Sequence, residues 1–299
     1  MSGYAEAMSC GGEWHPLTRN ASSRELLGLA SEFAVALDQG GFEVHFQPVS
    51  SAQSRRVAGV EALARWRRPD GTLVLPSAFI AAAEHGGLSQ ALTSKVLEIS
   101  LGALQAWTSA GHALHLAVNT TVADLLDMGF AGRVARALEV NEIAPEMLVL
   151  EVTETAVMTD PARIGLVLAE LCSLGVELSL DDFGTGYSSL AHLRELPVSE
   201  IKIDRSFVTG MRHDPTDAAI VFAMIGLAHK LGIRVVAEGV EDEETWEALQ
   251  RQGCELIQGY VISRPVEAAE LERQLASPRR CGAINGALRA VGRRRVACL

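Results

Sequence analysis

The chain has 299 residues (31.9 kDa), is 48% hydrophobic, 21% charged and 5% aromatic, and carries a formal net charge of −11 with mean hydropathy +0.17. Ordinary apolar content with moderate charge excludes global disorder, and a chain of this length buries a sizeable core without disulfide or metal staples. The acidic balance argues against non-specific nucleic-acid binding, and the longest apolar run, Ala218 to Ala228, falls far short of the ~20 residues of a membrane helix.

Residues 1–25 are rich in Gly and Ser, show no sustained period and no signal-peptide pattern, and read as a flexible leader. Periodicity then continues to residue 276, so a single domain is expected over 26–276. Strands are predicted over Glu43–Val49, Val57–Arg65, His115–Thr120, Leu148–Val152, Glu177–Asp181, Glu200–Asp204, Arg234–Glu238 and Leu256–Tyr260. Helical patterns cover Ser89–Ala110, Val122–Val140, Pro161–Leu174, Pro215–Leu231 and Glu243–Gln252. Asp160-Pro161 and Asp214-Pro215 each set a capping residue before a proline at the first helical position, while Gly175, Gly232 and Gly253 follow helix ends. Alternating strands and helices predict an α/β fold, a (β/α)8 barrel of the TIM type. A doubly wound sheet lacks its usual fingerprint here, because Gly184-Thr185-Gly186 runs into Tyr187-Ser188-Ser189 without a third glycine. Residues 277–299 hold six arginines and no acid and read as a disordered basic tail. Its short stripe of Ile284, Leu288 and Val291 would suit weak contact with an anionic membrane surface or a partner. The cysteines (Cys10, Cys172, Cys254, Cys281, Cys298) are scattered and form no CxxC, so reduced thiols in a cytoplasmic setting are expected, with no zinc or disulfide role.

Polar residues recur within or at the ends of seven successive strands: Glu61, Asn119, Glu151, Asp181 with Asp182, Lys202 with Asp204, Glu238 and Gln258. In Ile201-Lys202-Ile203-Asp204 the isoleucines face the helices, so Lys202 and Asp204 face the axis. Active sites of barrels sit at the C-terminal ends of strands. Several carboxylates gathered there repel one another unless cations neutralise them. All-oxygen ligands favour Mg2+ or Mn2+ over zinc, and two adjacent aspartates let one carboxylate bridge two ions. The pattern points to metal-assisted phosphoester hydrolysis, with Lys202 holding the attacking water or the developing charge.

Glu61-Ala62-Leu63 with Arg65-Trp66, Asn119, Glu151-Val152-Thr153-Glu154, the run Asp181 to Leu190, Lys202-Ile203-Asp204, Ala237-Glu238-Gly239-Val240-Glu241 and Gln258-Gly259-Tyr260 together resemble the EAL-domain family, in order and over most of the chain. The resemblance implies a barrel whose first strand is antiparallel to the rest, and hydrolysis of cyclic di-GMP to linear 5′-pGpG. It assigns Glu61, Asn119, Glu151 and Asp181 to a first Mg2+ or Mn2+, and Asp181, Asp182 and Glu238 to a second. It further implies that Lys202 holds the attacking water with Asp204 orienting it, and that Gln258 lies near metal and phosphate. Arg65 would meet a substrate phosphate, and Gln47, Glu241 and Tyr260 guanine or ribose. Glu154 would support the loop containing Asp182, Gly184, Thr185, Gly186 and Ser188, which in relatives couples the site to homodimerisation. Thr121 stands where relatives often carry a serine. Some relatives are catalytically silent receptors of the nucleotide or interaction modules, and both remain alternatives to the enzyme.

Other short matches carry no chemistry. Gly40-Gly41-Phe42-Glu43 reads as a turn into the first strand, and Asp182-Phe183-Gly184 lacks the companion motifs of a kinase. His45, His85, His112, His115, His192 and His229 show no ligand spacing, and Trp66 and Trp107 read as packing residues.

Overall fold

Alternating apolar runs become strands β1 (Phe42–Ser51), β2 (Val57–Arg67), β3 (Leu73–Val74), β4 (His115–Asn119), β5 (Leu148–Thr153), β6 (Glu177–Phe183), β7 (Glu200–Ile203), β8 (Arg234–Ala237) and β9 (Leu256–Gln258). The computed structural model describes residues 22–184, 193 and 196–276. The leader to residue 21, the tail 277–299, the loop positions Thr185, Gly186 and Ser188, and Cys10, His192, Cys281 and Cys298 lie outside the described residues.

Hydrogen-bonded neighbours run β1-β9-β8-β7-β6-β5-β4-β2, and β1 also pairs β2, closing a ring. β2 and β4 to β9 are mutually parallel, whereas β1 is antiparallel to both its neighbours. The orientation of β1 follows from chain length. Residues 52–56 join it to β2, far fewer than the dozen or so that a parallel crossover requires, so the pair must be a hairpin. The short β3, absent from the sequence-based expectation, pairs the end of β2 outside the ring.

The expected helix ends hold. Asp160 and Asp214 accept hydrogen bonds from Arg163 and Thr216 amides, and Gly175 and Gly232 close their helices with φ of 95° and 72°. Two expectations change. The pattern over Val122–Val140 splits into helices Val122–Leu125 and Phe130–Val140, because Asp127 accepts the Gly129 amide and pairs with Arg133, turning the chain between them. A helix over Ser23–Gln39 starts before the expected boundary at 26, since Ser22 and Glu25 form a reciprocal capping box.

That helix inserts Phe33 between Trp66 and Phe79, with ring centroids 5.2 Å and 5.1 Å away. Phe46 meets Trp107 edge-on at 4.9 Å. Both tryptophans are buried packing residues, as expected. At the N-terminal end of the ring, Arg234 pairs with Glu177 and, at 3.3 Å, with Glu200. The turn at Gly40 and Gly41 enters β1 with positive φ at both residues, and the Gly41 carbonyl accepts the Arg67 amide. A side chain at Gly41 would strike the Arg67 carbonyl at 2.7 Å.

Candidate active site

Alternation along β7 turns Ile201 and Ile203 toward the helices and Lys202 toward the barrel axis, all of them buried. The Lys202 ammonium stands 2.7 Å from Glu238, 2.8 Å from Glu151, 3.3 Å from Glu61 and 3.7 Å from Asp181. Four distant segments therefore supply carboxylates to one point at the C-terminal mouth. Glu61 is further held by Asn119, whose amide donates at 2.9 Å, and by Gln258 at 2.6 Å. Gln258 also donates to Gln47 at 3.2 Å, and Gln47 in turn donates to the Ser263 carbonyl.

Adjacent strand residues face opposite ways, yet Asp181 and Asp182 both line the mouth. The β6–β7 register shifts between Leu180 and Phe183, and Asp182 takes φ of 56°, a left-handed conformation unusual for a residue with a side chain. This local twist brings the second carboxylate to the same side as the first.

The mouth forms a cavity of 160 Å3 whose wall includes Gln47, Arg65, Asn119, Glu241 and Tyr260, together with the apolar Leu63, Ile80, Leu92 and Val96. Tyr260 carries the Arg264 guanidinium 4.2 Å over its ring, and Glu241 stands exposed at the rim. Glu151 lies deeper, between Lys202 and a second cavity of 190 Å3 on the N-terminal side of the floor.

Asp204 stands one residue past the end of β7 and is buried. β7 ends at Ile203 and the chain turns directly into helix Arg205–Gly210, so Asp204 serves as its cap, accepting the Ser206 amide at 2.9 Å. Its charge bears on Asp182. Glu154 opens helix Glu154–Val157 with Oε2 buried and without a hydrogen-bond partner. Of the loop it was expected to support, Asp182 and Gly184 are described, Gly184 with φ of 99°.

Electrostatics are strongly biased. Burial alone would lower the Lys202 pKa, but Asp181, Glu151, Glu238 and Glu61 outweigh it and hold the ammonium well above its ordinary range. Burial and the neighbouring charges of Glu61 and Asp181 push Glu151 well above the usual carboxylate range. Burial likewise raises Glu238, against the pull of Lys202. Asp182 rises to about 6 through burial and the charges of Asp181 and Asp204. Glu61 goes the other way: burial opposes ionisation, but Lys202, Gln258 and Asn119 prevail and lower its pKa.

One ammonium cannot neutralise four carboxylates, and Glu151 Oε2, Asp181 Oδ1 and Gln258 Oε1 are buried without hydrogen-bond partners. Buried acceptors left unpaired are costly. An oxygen-only donor set with excess negative charge fits hard divalent cations.

The EAL domain model matches residues 30–265. The chain is 40% identical over 258 residues to the bifunctional diguanylate cyclase/cyclic di-GMP phosphodiesterase MucR of Pseudomonas aeruginosa, covering 86% of this chain and 38% of that protein. It is 41% identical to the cyclic di-GMP phosphodiesterase NbdA of the same organism, over 85% of this chain and 32% of the relative. The chain thus spans less than half the length of these relatives. Among solved structures, the PaMucR phosphodiesterase in complex with c-di-GMP superposes with TM-score 0.78 at 40% identity, over 82% of this chain and 99% of that one. The EAL enzyme Bd1971, bound to cAMP and cyclic di-GMP, gives 0.81 at 29% identity, over 86% and 70% respectively. With a closed barrel, an antiparallel first strand and an acidic mouth built around Lys202, the chain belongs to the EAL domain family.

Proposed function

We propose that this chain hydrolyses cyclic di-GMP to linear 5′-pGpG, with two Mg2+ or Mn2+ ions at the barrel mouth. The observation that carries this reading is the buried meeting of Glu61, Glu151, Asp181 and Glu238 around Lys202, with carboxylate oxygens left without a hydrogen bond. Similarity to relatives named as cyclic di-GMP phosphodiesterases supports the substrate class.

Glu61, Asn119, Glu151 and Asp181 would hold one ion, and Asp181, Asp182 and Glu238 the other. When bound, such ions acidify water and stabilise charge at phosphorus. The chain's own groups do the positioning. Without ions the surrounding carboxylates raise the Lys202 pKa and hold the ammonium protonated, and we assign it to donate to the attacking water or to a phosphoryl oxygen. Asp204 acts from beside Asp182 and orients the water's surroundings indirectly. Arg65, largely buried on the wall, is suited to a phosphate, and Gln47, Glu241 and Tyr260 to guanine or ribose.

Incubation with cyclic di-GMP and Mn2+, followed by chromatography, tests the reading. Product pGpG is expected, with loss of turnover by about two to three orders of magnitude or more in Glu61→Ala and Lys202→Ala. Tight binding without product would make the chain a receptor, and no binding would leave an interaction module.

A further inference from the structure

Alternation on β1 places Glu43, His45 and Gln47 on one face, and because β1 runs antiparallel its first residues lie at the mouth end of the barrel. Glu43 pairs in register with Arg65, a wall residue of the mouth cavity. A third residue arrives from far along the chain. Phe46 and Val266 exchange two backbone hydrogen bonds, 2.7 Å and 3.0 Å, which fixes Glu267 beside His45. One ligand atom from each of Glu43, His45 and Glu267 lies within 4.8 Å of the other two, the sole such group of three among the described residues. None of the four carboxylates around Lys202 belongs to this group, so the two clusters are distinct.

Two details point to an ion. His45 is partly buried, its Nε2 is shielded from solvent, and Glu43 Oε2 faces that nitrogen at 3.4 Å, long for a hydrogen bond. That separation matches the roughly 3.3 Å between neighbouring ligands of a tetrahedral shell with bonds of about 2.0 Å. Glu43 meanwhile gives its other oxygen to Arg67 at 3.1 Å, which holds the carboxylate in place and leaves Oε2 directed at the imidazole. Glu267 is exposed and can close by rotation of its side chain.

We propose that Glu43, His45 and Glu267 form a second, separate cation site at the rim of the mouth, selective for a borderline ion such as Zn2+. An imidazole nitrogen with two carboxylate oxygens suits zinc, with a fourth position open to water, whereas the oxygen-rich floor suits Mg2+ or Mn2+. Filling the rim site clamps the segment carrying Glu267 to β1, next to Gln47 and the Ser263 carbonyl it contacts.

The test is calorimetric titration of the full chain with Zn2+ in excess Mg2+, which saturates the floor. His45→Gln and Glu267→Gln are each expected to bind one fewer zinc per chain than the parent, with unchanged thermal midpoints in the absence of zinc. Glu151→Gln is expected to keep the full zinc stoichiometry. Co2+ provides a second readout: visible absorption of a low-coordinate site is expected in the parent and lost in both rim variants. Equal zinc binding by parent and both rim variants, or loss of a zinc in Glu151→Gln alone, would overturn the proposal.

Discussion

Lys202 is both the partner of the acidic floor and a rival to any cation there. Its ammonium contacts four carboxylates. Lys202→Met therefore has two opposed expected effects: turnover falls by orders of magnitude, while affinity for Mn2+ rises, because the carboxylates lose their internal counter-charge. Calorimetry beside a steady-state assay reads both. The floor also sets a pH dependence. Asp182 is raised from 3.8 to about 6, and Glu151 and Glu238 are raised as well, so the fold binds protons that the unfolded chain releases. Stability from these groups is present at low pH and lost as pH rises through their folded values, so metal-stripped protein should melt lower at about pH 7 than at about pH 5. The lowered pKa of Glu61 acts in the opposite sense, but below its ordinary 4.5 and so outside that window, while His45, lowered by burial and by Arg65, opposes within it as a single group against the three carboxylates. Mn2+ competes with the same protons, so its affinity should increase with pH and its addition should restore the melting temperature. Most of these residues could be read from strand alternation alone. Asp182 was readable only as a neighbour of Asp181, since its left-handed turn defies the alternation, and the capping role of Asp204 shows only in the structure. His45 shows no ligand spacing in the sequence because Glu267 comes beside it only through the bridge to Val266.

At the level of elements, the helix ends marked by Asp-Pro and Gly were legible because capping is local chemistry. The split of Val122–Val140 was not, because amphipathic spacing persists across the turn that Asp127 imposes. The antiparallel β1 follows from the five-residue link at 52–56, which is too short for a parallel crossover. Gly259 shows how an element's end can be forced by its neighbour. A Cβ there would lie 2.1 Å from the Val240 carbonyl oxygen and 2.4 Å from its amide nitrogen, while the Val240 amide donates to Gln258 at 3.1 Å. No side-chain rotation relieves a clash with backbone. Gly259→Ala should cost about 1–3 kcal/mol or more and shift Gln258 and Tyr260, seen as a lower urea midpoint together with a raised KM.

Across the whole molecule the two barrel ends divide their labour. At the N-terminal end Arg234 offsets the buried Glu200 and the half-buried Glu177. Removing it strands a buried carboxylate, so Arg234→Ala should destabilise by roughly 2 kcal/mol, a value reduced from that of a fully enclosed pair because the guanidinium is partly exposed. Its kcat should stay near that of the parent, since strand ends on this face stabilise the barrel and do not reach the substrate. Urea unfolding and a turnover assay on one preparation would separate the two effects. Among the described residues no helix is long and apolar enough to cross a membrane, in line with the composition.

The amino-acid order by itself determined the periods, the caps and the inward-facing polar set, because each depends on neighbours within a few positions. Only the tertiary structure decided which carboxylates share Lys202, how Asp182 twists toward the mouth, and that Glu267 meets His45. Those outcomes depend on ring closure and strand register, which bring together groups up to 224 positions apart through backbone hydrogen bonds that no local pattern encodes.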